Sequence, residues 1–312
     1  MDFIRAMKIV FMGTPDFAVP ALESIALSKH VVQAVVTAPD KAQGRGRRIQ
    51  YSAVKHAALK LGLPILQPAN LKDDSFLQTL EGLKPDLIVV VAFRILPERV
   101  YNLPEYGSFN LHASLLPAYR GAAPIHWALL NGEDETGVTT FFLKKQVDAG
   151  NIIAQRKVKI MPQDNLGSLY EKLQSQGAEL VVTTINQIAR GDIATESQDS
   201  GKATPAPKVG PETQRLNFTE SNIQCHNRIR AFSPQPGAYT FRNGKRLKIL
   251  QSEISQLKGQ PGEVIALTKD AVVVGCGHES LLLLKVQPEG KRPLQVSDYL
   301  RGYPLEVGES LG

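Results

Sequence analysis

Two side chains that can stabilise and move charge lie two positions apart in the first half of the chain. Asn110 and His112 end the apolar run Ser108–His112, which predicts a β-strand. Side chains two apart in a strand point to the same face of a sheet. An asparagine amide can donate to a developing oxyanion, and an imidazole can hold or move a proton near neutral pH. The pair therefore indicates acid–base or oxyanion chemistry; the alternative is a capped strand end with a buried structural histidine.

A third candidate, Asp148, lies in the turn-forming segment Gln146–Gly150, after the predicted strand Val138–Phe142. A carboxylate at this place could orient His112 or favour its charged form. An Asp-x-Gly sequence is also common in ordinary turns, and from spacing alone the ordinary turn is the better explanation.

The first 200 residues predict a framework that could position these side chains. Apolar runs alternate with amphipathic segments, which is typical of strand–helix–strand units and a mostly parallel, Rossmann-like sheet. Such sheets usually bind ligands at the carboxyl ends of their strands, which is where Asn110 and His112 lie. The predicted strands are Lys8–Met12, Val31–Thr37, Asp86–Ala92, Ser108–His112 and Val138–Phe142, and the predicted helices are Phe17–Ser28, Ser52–Leu61, Phe76–Leu83 and Asp164–Arg190.

The composition changes after residue 190. Residues 191–211 contain few large apolar side chains and several glycines and prolines, which indicates a linker. We therefore expect a catalytic domain at residues 1–190, a linker at 191–211 and a C-terminal domain at 212–312. The short apolar runs that follow predict a small, OB-like β-barrel. These runs are Ala238–Arg242, Leu247–Ser252, Gly262–Ala266, Ala271–Gly275 and Leu281–Val286.

Positive charge is concentrated in the C-terminal third and in one loop. The chain has a net charge of +6, and residues 201–312 hold 15 Lys and Arg against 10 Asp and Glu. This asymmetry is consistent with binding to a polyanion such as nucleic acid, and also with simple solubility. The loop Asp40–Arg48 carries Arg45, Arg47 and Arg48 beside two glycines. These arginines could contact phosphates, although a solvated surface loop is the alternative.

Other features of the sequence exclude several classes of protein. The two cysteines are far apart and lack metal-ligand spacing, which argues against a zinc site and a disulfide scaffold. No apolar stretch approaches the ~18 residues of a membrane span, and the N-terminus lacks a secretion signal. We expect a cytoplasmic protein that binds no metal and does not enter a membrane.

A set of motifs runs nearly the full length of the chain. They are Gly13–Phe17, Asn110–Pro117, Tyr119–Gly121, Pro124 with Ile125, Asp148 with Gly150, the linker residues Ala206–Lys208, and Ile229–Phe232 followed by Pro236–Tyr239. Together they resemble the methionyl-tRNA formyltransferase family. The Asn110–Pro117 run alone is shared with formyltransferases that act on amino sugars or ribonucleotides, and the C-terminal segment and basic loop favour the tRNA enzymes.

The resemblance implies a reaction and a role for each motif. A formyl group would pass from 10-formyltetrahydrofolate to the α-amino group of initiator methionyl-tRNA, through a tetrahedral intermediate and without a metal. Translation initiation would use the product, N-formylmethionyl-tRNA, and we expect the enzyme to be a monomer. The implied catalytic residues are Asn110, His112 and Asp148; Ser114, Leu115, Leu116 and Pro117 would bind the folate; and Arg45 would reach the acceptor end of the tRNA. Our further candidates for tRNA contacts are Arg47 and Arg48 of the same loop and Lys208 of the linker.

Two other functions remain open from the sequence. One is a folate-dependent formyltransferase for an amino sugar or ribonucleotide, which would not need a basic C-terminal domain. The other is a catalytically dead tRNA-binding module, against which the three intact catalytic positions argue.

Overall fold

The helices and strands described here come from a computed structural model that covers residues 5–43 and 48–312. The strands are β1 (Lys8–Gly13), β2 (Val31–Val36), β3 (Lys41–Gln43), β4 (Arg48–Gln50), β5 (Ile65–Leu66), β6 (Leu87–Val91), β7 (Ser108–His112), β8 (Arg120–Gly121), β9 (Glu135–Phe142), β10 (Ile152–Lys159), β11 (Pro205–Ala206), β12 (Ala238–Arg242), β13 (Lys245–Ser255), β14 (Val264–Leu267), β15 (Val272–Gly275), β16 (Ser280–Pro288) and β17 (Leu294–Gln295). The helices are α1 (Val19–Ala26), α2 (Ala53–Lys60), α3 (Asp74–Leu83), α4 (Glu98–Tyr101), α5 (Pro124–Leu130), α6 (Leu166–Arg190), α7 (Pro211–Gln214), α8 (Asn222–Phe232) and α9 (Val296–Gly302).

The chain divides into two compact units whose segments alternate along the sequence. The first unit comprises Met1–Gly121, Thr136–Lys159 and Glu171–Pro205, and the second comprises Ala122–Glu135, Ile160–Tyr170 and Ala206–Gly312. The domain limits drawn from composition, at residues 190 and 212, stay a prediction.

A seven-stranded sheet forms the centre of the first unit, in the order β10-β9-β7-β6-β1-β2-β5. Strands β2, β1, β6 and β7 pair in parallel, whereas β9 is antiparallel to β7. All five residues of β6 are buried, which explains why its sequence is apolar without alternation. The predicted mostly parallel sheet is therefore confirmed, with an antiparallel pairing beside the strand that carries Asn110 and His112.

Helix α3 shows how local sequence sets the ends of a helix that covers this sheet. Its first turn is capped by the carboxylate of Asp73, which accepts a hydrogen bond from the Ser75 amide. It ends at Lys84, which adopts a left-handed conformation with φ of 46°. Between these ends, Phe76 and Leu80 are buried in the core cluster that contains the β1 and β6 side chains.

Helix α6 packs on the face of β7 opposite to Asn110 and His112. A side chain at Gly177 would place its Cβ 2.7 Å from Leu111 Cδ2, so the glycine lets the helix lie close to the strand without displacing that leucine. Leu111 alternates with Asn110 and His112 along β7, and its contact with α6 therefore directs those two side chains to the other face. Within the described residues, no helix is both long and apolar enough to cross a membrane.

The second unit contains an antiparallel sheet, in the order β12-β13-β16-β15-β14, as the short apolar runs predicted. The last two residues of the chain form hydrogen bonds near both edge strands of this sheet. The Leu311 amide donates to Gly262 O, two residues before β14, and the Gly312 amide donates to Phe241 O in β12. These bonds hold the end of the chain between the β12 edge of the sheet and the segment that leads into β14.

Candidate active site

Strand β7 places Asn110 and His112 at the carboxyl end of the parallel part of the sheet. Asn110 lies between Val90 of β6 and Phe141 of β9, and His112 lies opposite Thr139 of β9. The Asn110 side chain is half-buried, whereas His112 is buried with 6% exposure. Asn110 and His112 therefore lie on the same face of the sheet, and the half-buried amide of Asn110 is accessible for a hydrogen bond to a ligand.

The His112 ring is oriented by a backbone carbonyl. Its Nε2 lies 2.8 Å from Tyr119 O, and because a carbonyl only accepts, Nε2 must carry the proton of this bond. Tyr119 itself has a positive φ of 60°. Its amide is held by Thr204 Oγ1 at 2.8 Å, which fixes this conformation. In the neutral ring, Nδ1 is then the nitrogen that can accept a proton.

The loop Ser114–Pro117 follows β7 and is held by side chains from β9 and β10. Thr139 Oγ1 donates to Ser114 O and accepts from the Leu116 amide, at 2.7 and 3.1 Å. Gln155 Nε2 donates to Leu116 O at 2.8 Å and to Thr139 Oγ1 at 2.9 Å. Ser114 O, the Leu116 amide and Leu116 O are therefore all satisfied inside the protein, and these bonds hold the loop against β9 and β10.

The side chains of the same loop divide into packed and accessible ones. Leu116 is buried in a small cluster with Phe141 and Ile152, and Ser114 Oγ donates to Ala118 O at 2.6 Å. Leu115 and Pro117 are only half-buried. Their assignment to a folate site stays a prediction, and the structure shows a hydrogen-bonded loop with two partly accessible apolar side chains.

Asp148 lies in the loop between β9 and β10 with a positive φ of 52°. Its Oδ2 accepts a hydrogen bond from the Gly121 amide at 2.9 Å. Two residues later, Gly150 packs so closely on β9 that an added Cβ would lie 1.6 Å from Phe142 O. The carboxylate is therefore directed towards the segment Tyr119–Gly121, and the Asp-x-Gly spacing has a steric reason.

The segment Tyr119–Gly121 brings the predicted catalytic residues together. His112 binds the carbonyl at one end of this segment, and Asp148 binds the amide at the other. Within residues 5–43 and 48–312, no hydrogen bond or ion pair joins His112 directly to Asp148. The imidazole and the carboxylate are thus connected through the shared backbone segment, and their catalytic roles stay a prediction.

The predicted tRNA-binding residues are only partly described. Arg45 and Arg47 lie outside the residues that the structure describes. Arg48 is the first residue of β4, and only its backbone is described. Lys208 is exposed, next to Pro207, whose carbonyl accepts a hydrogen bond from Trp127 Nε1 at 2.8 Å. The role of all four residues stays a prediction.

Several basic residues of the second unit make bonds within the unit. Arg228 forms an ion pair with Glu220, and Arg242 forms one with Glu309. The hydrogen bond from Arg242 holds the pKa of the Glu309 carboxyl below its ordinary value. Arg246 is exposed, although its guanidinium lies 4.2 Å from the centre of the Tyr239 ring. Sequence clustering alone could not separate arginines that stabilise the fold from those that face solvent.

Sequence reasoning missed three polar side chains that hold the loops of the site: Thr139, Gln155 and Gln198. Thr139 left one signal, because it is a hydroxyl-bearing residue inside the predicted apolar strand Val138–Phe142. Gln155 and Gln198 could not be recognised from the sequence, since they bind backbone carbonyls, which every residue type has.

Comparison with known proteins identifies the class to which this fold and site belong. Residues 7–185 match a family model described as "Formyl transferase", and residues 208–304 match one described as "Formyl transferase, C-terminal domain". Among solved structures, HypX from Aquifex aeolicus in complex with tetrahydrofolic acid shares the fold, with a TM-score of 0.67 and 21% identity. That match covers 98% of this chain and 49% of HypX, so the chain spans about half the length of that protein.

Curated relatives narrow the class. A protein of Moorella thermoacetica named methionyl-tRNA formyltransferase is 46% identical over 98% of this chain and 99% of its own length. One of the same name from Caldanaerobacter subterraneus subsp. tengcongensis is 43% identical over 98% of this chain and all of its own length. The chain belongs to the methionyl-tRNA formyltransferase family.

Proposed function

We propose that this chain transfers the formyl group of 10-formyltetrahydrofolate to the α-amino group of initiator methionyl-tRNA. The observation that carries the proposal is the shared anchoring of His112 and Asp148 on the segment Tyr119–Gly121, beside Asn110 on the same face as His112. The name of the curated relatives supports the acceptor, and the tetrahydrofolic acid bound by HypX supports the donor.

The nucleophile is the α-amino group of the methionine. Free α-amino groups have a pKa of about 7.7–8.0, so a neutral fraction exists near neutral pH without strong activation. This amine attacks the formyl carbon of the donor, and negative charge develops on the formyl oxygen. The half-buried amide of Asn110 can donate a hydrogen bond to that oxygen, and a protonated His112 can stabilise it further.

His112 and Asp148 together handle the proton that the amine must lose. The Tyr119 carbonyl keeps Nε2 of His112 protonated, so Nδ1 is the nitrogen that takes and returns a proton. The carboxylate of Asp148 is held by the Gly121 amide, one residue beyond Arg120 and two beyond the Tyr119 carbonyl that binds the ring. The proton can then pass to the leaving nitrogen of the folate as the tetrahedral intermediate collapses.

The rigid loop after β7 supplies the surface for the folate donor. We assign donor binding to Ser114, Leu115, Leu116 and Pro117. Leu115 and Pro117 would contact the donor with their half-buried side chains, whereas Ser114 and Leu116 hold the shape of the loop through bonds to Thr139 and Gln155. A preformed loop lowers the entropic cost of placing two substrates together.

The basic residues Arg45, Arg47, Arg48 and Lys208 would contact the tRNA. Contacts of arginine and lysine with phosphates release counterions, so their contribution falls as the salt concentration rises. We further propose that the protein acts as a monomer in the cytoplasm, which gel filtration and cell fractionation would test.

The test combines purified protein, 10-formyltetrahydrofolate and methionyl-tRNA, and measures formylmethionine after hydrolysis of the aminoacyl ester. We expect formylation of initiator methionyl-tRNA and none of uncharged tRNA. Amino sugars and glycinamide ribonucleotide serve as alternative acceptors. Formylation of one of these with methionyl-tRNA unreacted, or no transfer to any acceptor, would overturn the proposal.

A further inference from the structure

The Gln198 side chain connects the segment Tyr119–Gly121, through the Arg120 guanidinium, with the loop that carries Asp148. Its Oε1 accepts hydrogen bonds from Nε and Nη2 of Arg120, at 2.9 and 2.6 Å. Its Nε2 donates to Asp148 O at 3.0 Å and to Gly150 O at 2.8 Å. All four hydrogen bonds that a glutamine amide commonly makes are thus directed at the candidate active site.

The loop that carries Asp148 has few other anchors. Residues 144–147 are exposed, and Asp148 is held in a left-handed conformation that few residues other than glycine adopt readily. Gln198 binds the carbonyls on both sides of Ala149, so it fixes the backbone at the carboxylate that would act on His112. Arg120, its other partner, lies between the His112 anchor at Tyr119 O and the Asp148 anchor at the Gly121 amide.

The position of Gln198 is set independently of its own side chain. Two residues before it, Glu196 exchanges two backbone hydrogen bonds with Ile152, at 2.8 and 2.9 Å. Six residues after it, Thr204 binds the Tyr119 amide through Oγ1 and the Arg120 amide through its carbonyl. Because the segment is fixed at both sides, a substitution at residue 198 changes the amide contacts without releasing the segment.

We propose that Gln198 is a positioning residue for formyl transfer, which holds the Asp148 loop against Arg120 so that the carboxylate faces the His112 side of the site. This inference rests on the proposed function. A glutamine suits the task because it must accept from a guanidinium and donate to two carbonyls at once. Glutamate could keep the bonds with Arg120 but could not donate to Asp148 O and Gly150 O.

Two substitutions separate these contacts. Gln198→Met removes both sets of bonds at similar length, and Gln198→Glu removes only those to the Asp148 loop. Gln33→Met is the matched control, because Gln33 is also half-buried in the first unit and its Nε2 donates to one carbonyl, Leu83 O, at 2.9 Å. Gln33→Met therefore measures the effect of losing a half-buried glutamine amide elsewhere in the same unit.

Two readouts test the proposal. The first is hydrogen exchange of the Gly121 amide, whose bond partner is Asp148 Oδ2, followed by NMR. We expect this amide to exchange about tenfold faster, or more, in both Gln198 variants and at the normal rate in Gln33→Met. The second is steady-state kinetics, where a misplaced catalytic group costs on the order of 100-fold in kcat. The KM for the folate donor should change by less than about threefold, because Gln198 does not contact the donor loop.

The outcomes distinguish this inference from the proposed function. An inactive wild-type protein would overturn the proposed function, while the exchange of the Gly121 amide would still decide whether Gln198 holds the Asp148 loop. Unchanged exchange and unchanged kcat in Gln198→Met would overturn the inference. A loss of activity in Gln198→Met that Gln33→Met reproduces would also overturn it.

Discussion

Substitution of Thr139 by valine tests how the loop after β7 is held. The Thr139 hydroxyl is fully buried and has three partners: Ser114 O at 2.7 Å, the Leu116 amide at 3.1 Å and Gln155 Nε2 at 2.9 Å. Valine has nearly the same shape and keeps the packing of the side chain. The change therefore removes hydrogen bonds without opening a cavity.

The expected loss follows from the groups left without a partner. A buried polar group that loses its hydrogen bond costs about 1–3 kcal/mol. Ser114 O and the Leu116 amide both lose their Thr139 contact, whereas Gln155 keeps its bond to Leu116 O at 2.8 Å. We therefore expect Thr139→Val to lower the free energy of unfolding by about 2–6 kcal/mol. It should also raise the KM for the folate donor, because the loop loses its fixed conformation.

Urea unfolding followed by circular dichroism measures the first effect, and Thr136→Val provides a matched control. Thr136 lies on the same strand and is also buried, but its hydroxyl has no hydrogen-bond partner among the described residues. Replacing this hydroxyl by a methyl group should leave stability unchanged or raise it by up to about 1 kcal/mol. Equal effects of the two substitutions would refute the hydrogen-bond argument.

Three further predictions concern catalysis, tRNA binding and pH. His112→Ala should lower kcat by about 10²–10⁴-fold while donor affinity, measured by titration, stays the same; unchanged turnover would contradict the role of His112. Arg45→Ala should raise the KM for methionyl-tRNA and reduce its dependence on salt, and normal kinetics on tRNA would remove Arg45 from the binding surface. Burial, with a smaller contribution from the charge of Arg230, lowers the pKa of His226 from 6.5 to about 4. Between these two pH values the unfolded chain binds more protons than the folded protein. The stability that depends on a neutral His226 is therefore fully present above pH 6.5 and is lost as the pH falls towards 4. His226→Gln should flatten the decline of the thermal midpoint over that range, and an unchanged slope would contradict the assignment.

The strands of the first sheet could be predicted because their burial leaves a direct mark on the sequence. Ser108–His112 was predicted with the bounds that the structure gives, and the predicted strand Asp86–Ala92 contains the observed Leu87–Val91. Both lie inside a sheet covered on both faces, so their sequences are apolar over most positions. In the second unit, the structure shows a capping box formed by Ser221 and Gln224 at the start of helix α8.

Strand β10 could not be predicted in the same way. It lies at the edge of the sheet, and its residues include Arg156, Lys157 and Lys159. Charged residues are common on edge strands, where they oppose pairing with another chain, but they hide the apolar pattern of a strand. Helix α9 was missed for a related reason: no side chain caps its first turn, so its sequence carries no start signal.

Composition predicted a linker at residues 191–211 because that stretch lacks large apolar side chains. In the structure, residues 191–205 of this stretch belong to the first unit. Glu196, Gln198 and Thr204 belong to the first unit and are held within it by hydrogen bonds from backbone groups and polar side chains. Such bonds need no hydrophobic periodicity, so a segment held only by them has the composition of a loop.

The catalytic residues and the residues that position them therefore differ in how far a sequence can reveal them. A catalytic side chain must be of a type that can donate, accept or carry charge at the reacting atoms, so Asn110 and His112 are recognisable from type and spacing. A positioning side chain such as Thr139 or Gln198 binds backbone carbonyls and amides, which every residue offers, and its partner is set by the tertiary fold alone. Its importance can be inferred only when the loops on which it acts have been located, and the paired Gln198 and Gln33 substitutions measure whether that inference holds.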